Sequence, residues 1–115
     1  MRLSPILFLF GHLSSGLCCV QFGAIVTNLD TAGHWALQAS LWDNEPTSAS
    51  PQCNFVGTVT SSTVALKCGG SYSAVFNWLN GGSVAYAYTG FSGTFGTTFE
   101  ELPNGGLFQA EVWGC

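Results

Sequence analysis

Apolar and polar residues alternate with a period of two along most of this chain. The clearest segments are residues 20–26 and 34–42, in which every second side chain is apolar or aromatic. Successive side chains of a β-strand point to opposite faces, so this alternation predicts strands with one face against a core. The predicted core face of the first strand carries Val20, Phe22, Ala24 and Val26. That of the second carries Trp35, Leu37, Ala39 and Leu41.

Six further segments have the composition of strands, and turn residues separate most of them. They are residues 54–60, 63–68, 71–79, 83–89, 94–100 and 107–113. Glycine-rich turns lie at residues 69–70, 80–82, 90 and 103–106. Short strands at this spacing, without helical periodicity, predict one all-β domain: an antiparallel sandwich or barrel of seven to eight strands.

The strands on either side of residues 80–82 form a predicted hairpin. A three-residue loop pairs Phe76 with Tyr86 and Trp78 with Val84, which gathers the bulky side chains on one face. A two-residue loop would shift the pairing by one and divide the aromatic rings between both faces. The longer turn is therefore predicted.

The first eighteen residues have the organisation of a secretory signal peptide. Arg2 precedes an apolar run, and small residues follow at positions 14–19. A charged start, a short apolar stretch and a small-residue exit are what signal peptidase requires. We expect residues 1–18 to be a signal peptide and residues 19–115 to be the single domain of a secreted, extracellular protein. The alternative is a buried N-terminal strand or helix.

Five cysteines are an odd number for an oxidising compartment, and removal of a leader ending at Cys18 leaves four. These four are Cys19, Cys53, Cys68 and Cys115. They allow three pairings, among which the sequence does not decide. Strand spacing favours a Cys53–Cys68 bridge across neighbouring strands, which would leave Cys19 to pair with Cys115.

Beyond the predicted leader, the charge balance argues against several classes of partner. Lys67 is the one remaining Lys or Arg, and it stands against six carboxylates, which gives a net charge of −5. Nucleic-acid phosphates and anionic membranes are bound by clusters of basic residues. We therefore expect no nucleic-acid partner and no membrane partner.

Candidate catalytic residues are few. Residues 90–94 resemble a nucleophile elbow, but Thr94 stands where the last glycine belongs. Glu100 and Glu101 are adjacent, so on a strand they point to opposite faces and would not act on one bond. His34 is the one histidine beyond the leader. We expect no enzymatic activity, no metal site and no cofactor.

Two tryptophans share a predicted strand face with polar residues. Trp42 lies with Gln38 and Ser40, and Trp113 with Gln109 and Glu111. Such a ring is either covered by a neighbouring loop or presented to a ligand. Exposed rings beside polar groups stack on sugars or anchor protein partners. Trp42, Trp113 and the adjacent Asp43 are therefore the candidate binding residues.

A Cys-Gly-Gly-x-Tyr-x-Ala stretch runs from Cys68 to Ala74, and the chain ends in Cys115. With its leader, small size and few cysteines, the chain resembles the small secreted effector proteins of plant-associated fungi. The resemblance implies secretion into the zone of host contact, an all-β sandwich, no cofactor and a function in virulence by binding.

The leading hypothesis is a secreted, non-enzymatic binding protein that engages a host protein or a cell-wall glycan through exposed aromatic side chains. One alternative is a small extracellular hydrolase or hydrolase inhibitor. Another is a structural cell-surface protein.

Overall fold

The computed structural model describes residues 19–28, 34–44 and 47–113, and these form ten β-strands and a short 3-10 helix. The strands are β1 Val20–Asn28, β2 Trp35–Asp43, β3 Cys53–Val59, β4 Thr63–Ala65, β5 Lys67–Cys68, β6 Ser73–Asn77, β7 Ser83–Tyr88, β8 Phe91–Gly96, β9 Thr98–Leu102 and β10 Gly105–Val112. The 3-10 helix, Leu79–Gly81, lies between β6 and β7. The predicted all-β fold is confirmed. In the described residues no helix is long and apolar enough to cross a membrane.

The strands form two antiparallel sheets that pack face to face as a sandwich. Sheet A has six strands in the order β5-β3-β2-β1-β10-β9, and sheet B has four in the order β4-β6-β7-β8. Aromatic rings join the two sheets: the Phe22 ring of β1 lies 4.9 Å from Phe76 of β6, and Phe76 lies 5.2 Å from Phe108 of β10. Rings of this size contribute much of the apolar surface that a small core buries.

Two segments predicted as single strands are each divided between the sheets. Residues 63–68 give β4 in sheet B and β5 in sheet A, with Leu66 between them donating its N–H to the Ala74 carbonyl. Residues 94–100 are split in the same way at Thr97, whose N–H donates to the Gly82 carbonyl. The structure therefore has ten strands instead of the predicted seven to eight, because the chain crosses from one sheet to the other within these two segments.

The face assignments of β1 and β2 are confirmed. The predicted apolar face of β1 is buried along its length, and Leu37, Ala39 and Leu41 of β2 are at most 2% exposed. Asp43 continues this inner face and is buried among apolar residues.

The predicted register of the β6–β7 hairpin is wrong by two residues. Phe76 pairs with Val84 and Ala74 with Tyr86, so five residues connect the strands. The turn is longer because Leu79–Gly81 closes as a 3-10 helix, with the Asn77 side chain accepting the Leu79 N–H at 2.9 Å. A shift of two leaves every side chain on its predicted face, and Phe76 is fully buried.

The Cys53–Cys68 disulfide is present and links β3 to β5, as the strand spacing predicts. Cys19 is also disulfide-bonded. Its predicted partner Cys115 and the predicted signal peptide lie outside the described residues.

Candidate functional site

The outer face of sheet A carries a groove beside Trp42. Its volume is about 560 Å³, which is within the usual range of small-ligand sites. We call it the Trp42 groove. It is lined by Gln21, Phe22, Gly23, Trp42, Thr47, Thr98, Gln109, Ala110 and Glu111.

Strand pairing brings these residues together from distant parts of the sequence. Gln21 of β1 lies between Trp42 of β2 and Glu111 of β10. In the next row of outward-facing residues, Gly23 pairs with Gln109, and Gln109 pairs in turn with Thr98 of β9. The groove therefore crosses neighbouring strands, and alternate residues of each strand supply its surface.

Trp42 forms one wall, and a hydrogen bond holds its indole ring. The side chain is partly buried, and its Nε1–H donates to the Ala49 carbonyl at 2.8 Å. Thr47, from the same loop, also lines the groove. The loop after β2 thus fixes the orientation of the ring and leaves part of the ring at the groove.

Gly23 creates the space at the floor of the groove. A Cβ atom built on Gly23 meets no atom within 4 Å. On either side, its strand partners Ser40 and Gln109 carry side chains. A larger residue in β1 would fill the groove, so the missing side chain determines its depth.

Apart from Phe22 and Ala110, the remaining residues of the lining carry polar side chains. The Gln21 amide donates to the Glu111 carboxylate at 3.3 Å. The Thr98 hydroxyl donates to the backbone carbonyl of Gln109 at 3.1 Å, and the Gln109 side chain is exposed. An aromatic wall beside amide, carboxylate and hydroxyl groups suits a ligand with both an apolar face and hydrogen-bonding groups.

Asp43 does not line this groove. It is 7% exposed on the inner face of β2, where Oδ2 accepts the Tyr86 hydroxyl at 2.5 Å. Asp43 follows Trp42 directly, and adjacent residues of a strand point to opposite faces. This placement corrects the expectation that both side chains reach one surface site.

Trp113 is not on the polar face with Gln109 and Glu111, so its predicted placement is wrong. β10 ends at Val112, and Trp113 has φ 59°, which turns the chain out of the strand. Its ring lies 5.1 Å from Phe91 and 5.4 Å from Phe95, both in β8 of sheet B. Trp113 therefore packs on the second sheet, away from Trp42.

Buried contacts perturb the ionisation of Tyr86. Burial, followed by the hydrogen bond to Asp43, raises the pKa of the Tyr86 hydroxyl well above its ordinary value. This hydroxyl stays protonated and serves as a donor inside the sandwich. Among the described residues, no group of three or more His, Cys, Asp or Glu side chains is arranged to hold a metal ion.

Comparison with known proteins adds no assignment: no protein-family model, no curated protein and no solved structure matches the chain.

Sequence reasoning found Trp42 but not Gln21, Gly23 and Thr98, which share the groove with it. The alternation places Gln21 and Gly23 on the outer face of β1, which is a local signal. Nothing local shows that β1 lies between β2 and β10. The strand order, a product of long-range pairing, assembles the groove.

Proposed function

We propose that the protein is a secreted, non-enzymatic binding protein that takes a neutral host or cell-wall glycan in the Trp42 groove. The observation that carries the proposal is the groove itself, where a fixed indole ring stands beside polar side chains from neighbouring strands. A pyranose ring has an apolar face for stacking and hydroxyls for hydrogen bonds, and the groove offers a partner for each.

The charge of the chain favours a neutral ligand over an anionic one. Glu111 lines the groove, while Lys67 lies on β5 at one edge of sheet A. The groove lies on the other side of β2, around β1 and β10. An acidic polysaccharide would meet a carboxylate without a nearby Lys to offset it. Neutral hydroxyls can donate to that carboxylate.

Secretion is part of the proposal. The organisation of residues 1–18 supports it, and the Cys53–Cys68 disulfide is compatible with an oxidising, extracellular compartment. The resemblance to fungal effector proteins is consistent with a role at a plant surface.

The experiment that tests the proposal fills the groove without disturbing the fold. In Gly23→Val the new side chain enters open space, and a β-branched residue suits a strand. A glycan array identifies a ligand for the oxidised protein, and calorimetry then compares variants. We expect Gly23→Val to retain the thermal midpoint and to weaken binding at least about tenfold.

Gly96→Val is the matched control, because Gly96 lies in β8 of the other sheet and its Cβ would make ordinary contact only. This control is expected to bind like the natural chain. A folded Gly23→Val protein with unchanged affinity would contradict the assignment of the groove.

A second pair tests the polar contacts. Gln109→Ala removes an exposed amide from the groove, whereas Gln38→Ala removes one from the same sheet face outside it. We expect Gln109→Ala to weaken binding and Gln38→Ala to leave the affinity unchanged. Equal losses would place the ligand across the whole sheet face and contradict the assignment.

A further inference from the structure

A second cavity lies at the opposite end of the sandwich from the Trp42 groove, on the inner side of sheet A. Its volume is about 450 Å³. We call it the aromatic cleft. Its characteristic residues are Trp35, Trp78, Phe99, Phe108 and Glu101.

Three rings of the cleft, those of Trp35, Trp78 and Phe108, pack in or against the core, whereas Phe99 is 52% exposed. Trp35 and Trp78 are partly buried against the core cluster, and Trp78 lies 5.9 Å from the fully buried Phe76. Phe99 lies 5.0 Å from Phe108, and its ring covers Gly106, where a Cβ atom would collide with the ring. The core thus positions three of the four aromatic walls, and Phe99 contributes the fourth from the neighbouring edge strand.

One carboxylate accompanies these rings. Glu101 lies two residues after Phe99 in β9, so both project from the same side of the strand. Lys67, the one Lys or Arg of the described residues, is on β5, and β5 and β9 are the two opposite edges of sheet A. The strand order therefore keeps the Lys67 ammonium away from Glu101.

From this combination we propose that the aromatic cleft binds a small organic cation bearing a trimethylammonium group, of the kind found in choline. The π faces of Trp and Phe attract cations, and a weakly hydrated trimethylammonium group also fills apolar space with its methyl groups. Glu101 supplies the opposite charge at the cleft. The site is separate from the Trp42 groove, and this inference does not depend on glycan binding.

The test titrates the oxidised protein with choline chloride and follows tryptophan fluorescence and backbone amide chemical shifts. We expect a saturable response, with shifts concentrated around Trp35, Trp78 and Phe99. The neutral isostere of choline, dimethylbutanol with carbon in place of nitrogen, should bind at least about fivefold more weakly, because it lacks the cation–π attraction.

Two adjacent glutamates provide a matched pair of variants. Glu101→Gln removes the charge at the cleft, while Glu100→Gln makes the same change on the opposite face of β9, where Glu100 pairs with Leu107. Choline affinity should fall about threefold or more for Glu101→Gln and stay near the natural value for Glu100→Gln.

Vesicles of phosphatidylcholine distinguish the source of the trimethylammonium group. Saturation by free choline without co-sedimentation with vesicles supports a soluble ligand. Co-sedimentation that Glu101→Gln weakens and Glu100→Gln does not supports a lipid headgroup carrying the same chemistry. The proposal is overturned by the absence of a saturable response to choline, by equal affinity for the neutral isostere, or by equal effects of the two glutamate variants.

Discussion

At the scale of single residues, the contact between Asp43 and Tyr86 is the main polar feature of the core. Tyr86 is 1% exposed and its hydroxyl donates to Asp43 Oδ2. Asp43 Oδ1 is buried and has no hydrogen-bond partner in the described structure. A buried carboxylate with one donor depends heavily on that donor, because the protein interior screens its charge poorly.

We expect Tyr86→Phe to destabilise the fold by about 1–3 kcal/mol at neutral pH, because the carboxylate loses its hydrogen-bond donor. Alkaline pH adds a second signature. The pKa of Tyr86 is raised in the folded state from its ordinary value of 10.0. Above that value the unfolded chain releases this proton while the folded chain retains it, so stability falls as pH rises. Tyr86→Phe should remove this part of the alkaline destabilisation.

The measurement is denaturant unfolding at several values between about pH 8 and pH 11. Tyr72→Phe is the control, since Tyr72 stacks on Tyr86 at 6.1 Å and loses a hydroxyl in the same way. Identical pH slopes for the natural chain and Tyr86→Phe would contradict the expected role of this hydroxyl.

At the scale of elements, the connection between β6 and β7 determines the register of sheet B. Asn80 has φ 56°, in the left-handed region, and Gly81 and Gly82 continue with positive φ. The Gly82 N–H donates to the Leu79 carbonyl, which closes the turn. The other two strands of sheet B are built on this hairpin, because β4 pairs with β6 and β8 pairs with β7.

Substitution of Asn80 tests this geometry. Asn80→Gly should leave the free energy of unfolding nearly unchanged, because glycine adopts positive φ without steric conflict. Asn80→Ala should lower it by about 1 kcal/mol, since asparagine tolerates positive φ better than other residues with a Cβ atom, including alanine. Denaturant unfolding of the two variants gives the comparison. A more stable Ala variant would show that the turn is built differently.

At the scale of the whole molecule, covalent bridges support a small sandwich. The Cys53–Cys68 bridge joins residues 15 apart and attaches the short β5 to the edge of sheet A. A domain of this size buries a limited apolar core, so crosslinks that restrict the unfolded chain add usefully to its stability.

The double variant Cys53→Ser, Cys68→Ser should lose about 3 kcal/mol of unfolding free energy, as expected for a closed loop of this length. Serine replaces both cysteines, so no free thiol remains at the site. In the natural chain, peptide mapping without reduction checks the cysteine pairing, including the predicted Cys19–Cys115 bridge. A linked Cys19–Cys53 peptide would contradict both pairings.

The sequence by itself determined the fold class and the inner and outer faces of β1 and β2. Strand spacing favoured the Cys53–Cys68 pairing among three, and the structure shows that bridge. The faces follow from local alternation, since a strand reverses its side-chain direction at each residue. The observed register of the β6–β7 hairpin differs from the predicted one by two residues. Its side chains still lie on their predicted faces, because Phe76 and Tyr86 are both on the core side.

Only the tertiary structure decided where strands break, which strands adjoin, and which polar residues meet. Alternation continues through Leu66 and Thr97, where the chain crosses between sheets. Trp113 does not lie on its predicted face, because β10 ends at Val112, one residue before the predicted end of this strand. Both candidate binding sites depend on the order β2-β1-β10-β9 in sheet A. That order comes from long-range pairing and from burial of two faces against each other, which no local pattern encodes.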